Sequence, residues 1–267
     1  MFRTMRPLSV GMAVLAFSLV FGIGPAGMRA HAQGAAGPND AQIQTDVQKA
    51  LDKKEYKDVH ATVQNGNVTL QGTVDIYSAR QEAEKRVHHV KKVQQIDNRI
   101  EVAGPTVEDS MLGAKLAQRV ATDRVGYDTT TFNAITVSVQ NGVVTLGGSA
   151  YGPPDKDSAI SLVGNTPGVK GIVDKINVDP LSPMDDRLRI DLRAAIYGAQ
   201  QLQRYALDPA KPIRITVVNG QVTLSGVVDS KSDSDVAAIR ANGVPGVFKV
   251  INNLQVAGGS GSSSSGR

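Results

Sequence analysis

The stretch Val63–Gly72, with the sequence VQNGNVTLQG, decides the fold because its pattern returns twice later in the chain. The same pattern, Val-x-Asn-Gly-x-Val-Thr-Leu-x-Gly, is found at residues 139–148 and 217–226. Repetition at a near-constant spacing is the signature of a duplicated unit. The spacing here is too long for a thin solenoid repeat, so we predict that each copy is a small domain.

Each copy of this motif predicts a β-hairpin. The Asn-Gly pair tolerates the positive φ angles that a tight two-residue turn requires. On the strand that follows, Val68 and Leu70 alternate with Thr69 and Gln71, which predicts one apolar and one polar sheet face. Six glycines of the motif are assigned a structural role in these hairpins: Gly66, Gly72, Gly142, Gly148, Gly220 and Gly226.

The segments around each hairpin predict two helices and a third strand. In the first copy, Ile43 and Val47 have helical spacing before the hairpin. After the hairpin, Ser78 and Gln81 have the spacing of a capping box at the start of a second helix. An alternating apolar pattern over residues 96–102 then predicts the last strand.

The predicted fold class is α+β, with three tandem small αββαβ domains. Because each hairpin has one apolar face, both helices are expected on that face of a three-stranded mixed sheet. Three polar residues of the last strand alternate in phase with its apolar residues: Asn98, Asp174 and Asn252. A polar side chain in such a position normally bonds nearby backbone, so we interpret these three as structural, with a ligand contact as the alternative.

The ends of the chain differ from the repeats. Arg3 and Arg6 precede an apolar run that closes with Ala30-His31-Ala32, the order of a secretory signal peptide, and cleavage is predicted after Ala32. Retention of this segment as a membrane anchor is the alternative. The predicted division is a signal peptide at 1–32, domains at 40–103, 107–179 and 184–257, and a disordered Gly/Ser tail at 258–267.

The hairpin motif and the last strand resemble those of the BON domain family. The resemblance covers nearly all of residues 40–257, although Lys92-Val93 stands where a Gly-Val step is usual. It implies a periplasmic protein with three such domains, a part in osmotic-stress protection, and phospholipid binding. It implies no catalytic residues, because the matching positions are hairpin and core residues.

The composition argues against several classes of function. The absence of cysteine excludes disulfides and thiolate chemistry. The formal charge of +4 falls to nearly neutral once residues 1–32 are removed, whereas a nucleic-acid binder is normally strongly basic. The remaining histidines, His60, His88 and His89, lack metal-ligand spacing, and no nucleophile or phosphate-loop motif occurs. We therefore predict no enzyme activity, metal, cofactor or nucleic-acid partner.

Basic residues near the end of the second helix of the first copy form the best candidate lipid-binding site: Lys85, Arg86, His88, His89, Lys91 and Lys92. Helical spacing predicts Lys85, His88 and Lys92 on one outward face. Such a face suits lipid phosphate, and a merely solvated helix face is the alternative. Tryptophan is absent, and no exposed phenylalanine is expected to anchor the contact.

Two hypotheses of function follow from these residues. The leading one is an exported array that binds anionic phospholipid or a membrane surface through basic helix faces. A weaker second face is the first helix of the third copy, where Arg187, Arg189 and Arg193 are interleaved with acidic residues. The rival hypothesis is a scaffold or adaptor for envelope proteins that pairs with partners through exposed sheet edges.

Overall fold

The computed structural model describes residues 37–127, 129–180, 182–208 and 211–258. The predicted signal peptide, and the predicted tail from residue 259 onward, lie outside these ranges. Within the ranges, every helix is too short or too polar to cross a lipid bilayer.

All three domains follow the order helix, hairpin, helix and strand. The first contains α1 Asp40–Ala50, β1 Val59–Gln64, β2 Asn67–Val74, α2 Tyr77–His88 and β3 Gln95–Val102. The second contains α3 Asp109–Ala121, β4 Ala134–Gln140, β5 Val143–Ala150, α4 Pro153–Gly164, β6 Gly171–Asp174 and β7 Asn177–Val178. The third contains α5 Pro183–Tyr197, α6 Gln203–Leu207, β8 Arg214–Val218, β9 Gln221–Val228, α7 Lys231–Asn242 and β10 Lys249–Val256.

The three sheets share one mixed topology. The middle strand, β2, β5 or β9, pairs antiparallel with the strand before it and parallel with the strand after the second helix. In the second domain the last strand is divided into β6 and β7, which both run parallel to β5. The predicted fold class, three tandem αββαβ domains of the α+β type, is therefore confirmed.

The apolar face of each sheet is covered by the two main helices of its domain. In the first domain, Val68 and Leu70 of β2 are fully buried in one core with Ile43 of α1 and Ala83 of α2. Gln71, which alternates with them, is exposed on the opposite face. Both helices therefore lie on one side of the sheet, as the alternating pattern predicts.

An aspartate at the start of the first helix binds the hairpin turn in each domain. In the first domain, the Asp40 carboxylate accepts hydrogen bonds from the N–H groups of Asn65 (2.8 Å) and Gly66 (2.9 Å). These turn residues have positive φ angles of 51° and 77°, and successive N–H groups in turns of this kind form a concave site for an anion. Asp109 and Asp185 bind the other two turns in the same way. The contact joins helix and hairpin across a long stretch of sequence.

The hydrogen bonds to Asp40 also keep its carboxylate ionised. Burial acts to raise the pKa of Asp40, but the N–H groups of Gly66, Asn65 and Gly37 outweigh it and hold the pKa below the ordinary 3.8. A lowered pKa in the folded state means that this contribution to stability is present above the ordinary pKa. It is lost as the pH falls through the folded-state pKa.

The same turn positions the last strand. In each domain the C=O of the turn glycine accepts a hydrogen bond from the N–H of the residue at or just before the start of that strand. The pairs are Gln94 with Gly66, Lys170 with Gly142, and Phe248 with Gly220, at 2.8 to 2.9 Å. The turn therefore connects the first helix, the hairpin and the last strand.

The second glycine of each motif lies where a side chain does not fit. Gly72, Gly148 and Gly226 have φ angles of 113°, 83° and 122°. At Gly72 a Cβ atom would lie 1.9 Å from the carbonyl oxygen of Asp58, and at Gly148 it would lie 2.0 Å from that of Ala134. Only glycine accepts both the backbone angle and the close approach at these positions.

The predicted capping box at the start of α2 is wrong. The helix begins at Tyr77 after Ile76, and no side chain of the described residues caps it. Ser78 therefore lies inside the first turn, where its hydroxyl donates to Asn165 Oδ1 of the second domain (2.7 Å). Tyr77 packs against the core of the second domain. These two residues join the first domain to the second.

The second and third domains are joined more closely. Phe132 of the second domain is buried in the core of the third. Arg214 of β8 donates to the backbone carbonyls of Ala121 (2.9 Å) and Thr130 in the second domain. Burial lowers the pKa of Arg214 to about 10, so the guanidinium is still charged at neutral pH. Its bonds to the two carbonyls are therefore charge-assisted.

The aspartate–turn contact predicts a specific loss of stability. Changing Asp185 to Ala removes the acceptor for the N–H groups of Asn219 and Gly220, and we expect the free energy of unfolding to fall by about 2 kcal/mol. Urea denaturation followed by circular dichroism measures the change. The exposed Asp191 on the same helix is the control, and its change to Ala should cost less than about 0.5 kcal/mol. Equal effects of the two changes would contradict the assigned role.

Candidate functional site

Five of the six predicted lipid-binding residues are exposed at one end of the first domain, and one of these, Lys92, is hydrogen-bonded to Asn39. Lys85 and His88 lie in the last turn of α2, and His89 and Lys91 follow the helix. We refer to these four residues as the basic cluster. Neither lysine takes part in the ion pairs formed within the described ranges.

The other two predicted residues make contacts within the domain. Arg86 is partly buried and pairs with Glu82 at 3.2 Å. Because α2 ends at His88, Lys92 lies in the following turn, with φ of 69°, and donates to Asn39 Oδ1 (2.6 Å). The prediction that Lys92 shares a helix face with the other basic residues is therefore wrong. Helical spacing does not extend beyond the end of the helix.

The acidic residues of α2 do not pair with the basic cluster. Glu82 is held by Arg86, and the Glu84 carboxylate accepts a hydrogen bond from the Asn98 amide (2.9 Å). Both carboxylates are thus directed to other partners. The basic cluster consequently presents positive charge to solvent, where a nearby anion can bind it.

Asn98, Asp174 and Asn252 occupy equivalent positions and share one set of contacts. In each, Oδ1 accepts a hydrogen bond from the N–H group two residues further along the chain. Each side chain also contacts the second helix of its own domain. The partners there are Arg80 for Asn98, Lys156 for Asp174 and Ser234 for Asn252. These contacts tie the last strand to the second helix.

The carboxylate of Asp174 is held in its charged form. Burial acts to raise the pKa of Asp174, but hydrogen bonds from Lys156 and from the Ile176 N–H outweigh it and lower the pKa below its ordinary value. The ion pair with Lys156, at 2.7 Å, therefore persists at neutral pH.

Within the described ranges, no group of three or more His, Asp and Glu side chains converges as metal ligands would.

The weaker predicted lipid-binding helix, α5, contains a buried arginine. Arg189 is only 1% exposed and pairs with Asp179 (2.9 Å) and Asp186 (2.7 Å). It also donates to the Val217 carbonyl at 2.6 Å. Asp179 is itself buried at the end of the second domain and accepts a hydrogen bond from the Ser149 hydroxyl. The prediction of a lipid-facing Arg189 is therefore wrong, because the second domain covers this part of the helix.

The buried ion pair predicts strong dependence of stability on Arg189. Changing Arg189 to Met leaves the Asp179 carboxylate buried without its cation, and we expect unfolding to become easier by about 3–5 kcal/mol. Chemical denaturation measures this change, and Arg187→Met on the exposed side of the same helix is the control. Adding Asp179→Asn to Arg189→Met should recover part of the loss, because the two residues are coupled. A loss below about 1 kcal/mol for Arg189→Met would refute the role.

Sequence reasoning did not find the aspartates that bind the hairpin turns. Asp40, Asp109 and Asp185 are the residues concerned. The available signal is that each copy has an aspartate at the start of its first helix. An aspartate at the start of a helix is usually explained by its favourable interaction with the helix dipole alone. Its presence in the sequence therefore does not reveal that it binds the hairpin turn.

The fold defines the class of protein: a tandem array of small α+β modules. A family model described as the BON domain matches residues 39–104, 108–180 and 192–258. The chain therefore belongs to the BON domain family, and it contains three of these domains.

The chain is also similar to the osmotically-inducible protein Y of Escherichia coli strain K12. The two are 26% identical over 189 residues, which covers 70% of this chain and 92% of that relative. Two solved structures of CdsD, a structural protein of the type III secretion system of Chlamydia trachomatis, also match. They have TM-scores of 0.24 and 0.22 at 12% and 13% identity, and cover 80% and 79% of this chain and 92% and 96% of theirs. Scores this low add nothing to the family assignment.

Proposed function

We propose that this BON-domain protein is an exported, non-enzymatic protein of the cell envelope that binds anionic phospholipid surfaces. The basic cluster of the first domain is the observation that carries the proposal. Its two lysines are exposed and make no ion pair within the described ranges, and the acidic residues of the same helix are bound elsewhere. A basic residue near an anionic membrane surface contributes about 1 kcal/mol to binding.

The similarity to the osmotically-inducible protein Y of Escherichia coli supports a proposed role in osmotic stress. That relative is described as osmotically inducible. By analogy, we propose that binding of the present chain to the periplasmic membrane surface supports envelope integrity under osmotic stress. An array of three modules suits this role, because linked weak contacts bind one surface more tightly than each does alone.

A vesicle assay with matched lysine variants tests the lipid-binding proposal. Residues 33–267 should co-sediment with anionic vesicles at low salt, less so at physiological salt, and not with neutral vesicles. Changing both Lys85 and Lys91 to Gln should weaken binding about 30-fold, the equivalent of losing two such contacts. The control is Lys53→Gln with Lys54→Gln, an exposed pair in the same domain with the same change of net charge.

Two results of this assay would contradict the proposal. Equal weakening by both lysine pairs would show a response to net charge rather than contact through the basic cluster. Absence of sedimentation with either kind of vesicle would remove lipid as the partner. The scaffold hypothesis would then be favoured by salt-insensitive association with one purified envelope protein.

Export predicts the N-terminus of the mature protein. Because cleavage is predicted after Ala32, the form isolated from the native cell should begin at Gln33. Intact mass measurement and N-terminal sequencing of the periplasmic fraction check this. A chain that still carries residues 1–32, recovered with the membrane, would instead establish the anchor alternative.

A further inference from the structure

Two large apolar side chains protrude from one end of the third domain. Met184 is 84% exposed and Phe248 is 85% exposed. No exposed phenylalanine was expected to anchor the basic helix of the first domain, and the exposed Phe248 belongs instead to the third domain. Phe248 lies just before β10 with its side chain outside the core, whereas the adjacent Val247 packs against the core.

Both residues adjoin the hairpin turn of this domain. The Phe248 N–H donates to the Gly220 carbonyl, and its Cβ atom lies 3.6 Å from the position a Cβ on Gly220 would take. Met184 precedes Asp185, which binds the same turn, and it lines a groove of about 530 Å³ together with Gly220 and Pro245. We refer to Met184, Phe248 and the turn Asn219-Gly220 as the apolar tip.

The other two domains have polar residues at the equivalent positions. Asn39 and Glu108 precede the turn-binding aspartates in the first and second domains, where the third has Met184. Gln94 and Lys170 donate to the turn glycine, where the third has Phe248. The turn, the aspartate and the strand entrance are retained in all three domains. Folding therefore does not require apolar side chains at these two positions.

We propose that the apolar tip inserts into the interfacial region of an anionic phospholipid membrane. This inference rests on the proposed function, because it assigns a second contact of the chain with the same kind of surface. A stable protein interface needs about 800 Å² from each partner, far more than two side chains provide. An apolar side chain at a membrane boundary needs no such area, because it transfers individually from water.

The charged residues near the tip are compatible with an anionic surface. Arg187 and Lys249 are exposed beside Met184 and Phe248. Of the neighbouring acids, Asp185 is bound to the turn and Asp186 to Arg189, while Asp191 is exposed in the groove. Proteins that bind the membrane interface commonly have exposed apolar side chains flanked by basic ones.

The absence of tryptophan from the chain allows a direct test. Phe248→Trp introduces a single fluorophore at the tip, in the full mature chain, residues 33–267. With anionic vesicles, its emission should shift to shorter wavelength and be quenched by lipids brominated on the acyl chains. The matched control is Ile190→Trp, at an exposed apolar position on α5, which should show neither change.

A second variant measures the contribution of the tip to binding. Changing Met184 and Phe248 to Ser should weaken binding to anionic vesicles about 10- to 100-fold, the effect of losing one or two inserted side chains. Part of this loss should remain at high salt, in contrast to that of the Lys85 and Lys91 variant. Circular dichroism and urea denaturation of the Ser variant confirm that it is folded.

Each contrary outcome has a distinct meaning. Sedimentation with vesicles without quenching at position 248 would overturn insertion of the tip and leave the proposed function intact. Equal quenching at positions 248 and 190 would also overturn it, since contact would not be confined to the tip. Absence of sedimentation altogether would overturn both proposals.

Discussion

In each of the three domains, a carboxylate at the start of the first helix accepts hydrogen bonds from both N–H groups of an Asn-Gly turn. The turn glycine also accepts a hydrogen bond from the entrance of the last strand. Three segments distant in sequence therefore meet at two residues with positive φ. A domain this small buries only a thin core, so one well-satisfied polar junction strongly constrains the arrangement of its elements.

The sheet could be predicted from sequence because its signals are local. Asn65-Gly66 specifies the turn, and the alternation around Val68 and Leu70 specifies the buried face. The partner of Asp40 could not be predicted, because an acidic residue in a first helical turn already has a sufficient local explanation. Likewise, Ser78 has the spacing of a cap but bonds the neighbouring domain, a contact that no spacing within one repeat encodes.

The candidate binding residues show the same division between local and distant signals. Helical periodicity gives the direction of a side chain but not what covers it. Lys85 and Arg189 both lie on helices rich in basic residues, yet the first is exposed and the second is buried in an ion pair with another domain. Phe248 is the converse case: an aromatic residue next to the core residue Val247 that itself lies outside the core. Exposure of these residues depends on packing between elements, so only the structure assigns it.

Burial of Phe132 in the core of the third domain has a consequence for how the array evolved. Repeats that contact each other only at their surfaces can be duplicated or deleted singly. A repeat that supplies an aromatic ring to its neighbour cannot be deleted without leaving a cavity there. The second and third domains are therefore expected to be inherited as a pair. The first domain, whose Tyr77 is only partly buried against the core of the second, is freer to be exchanged.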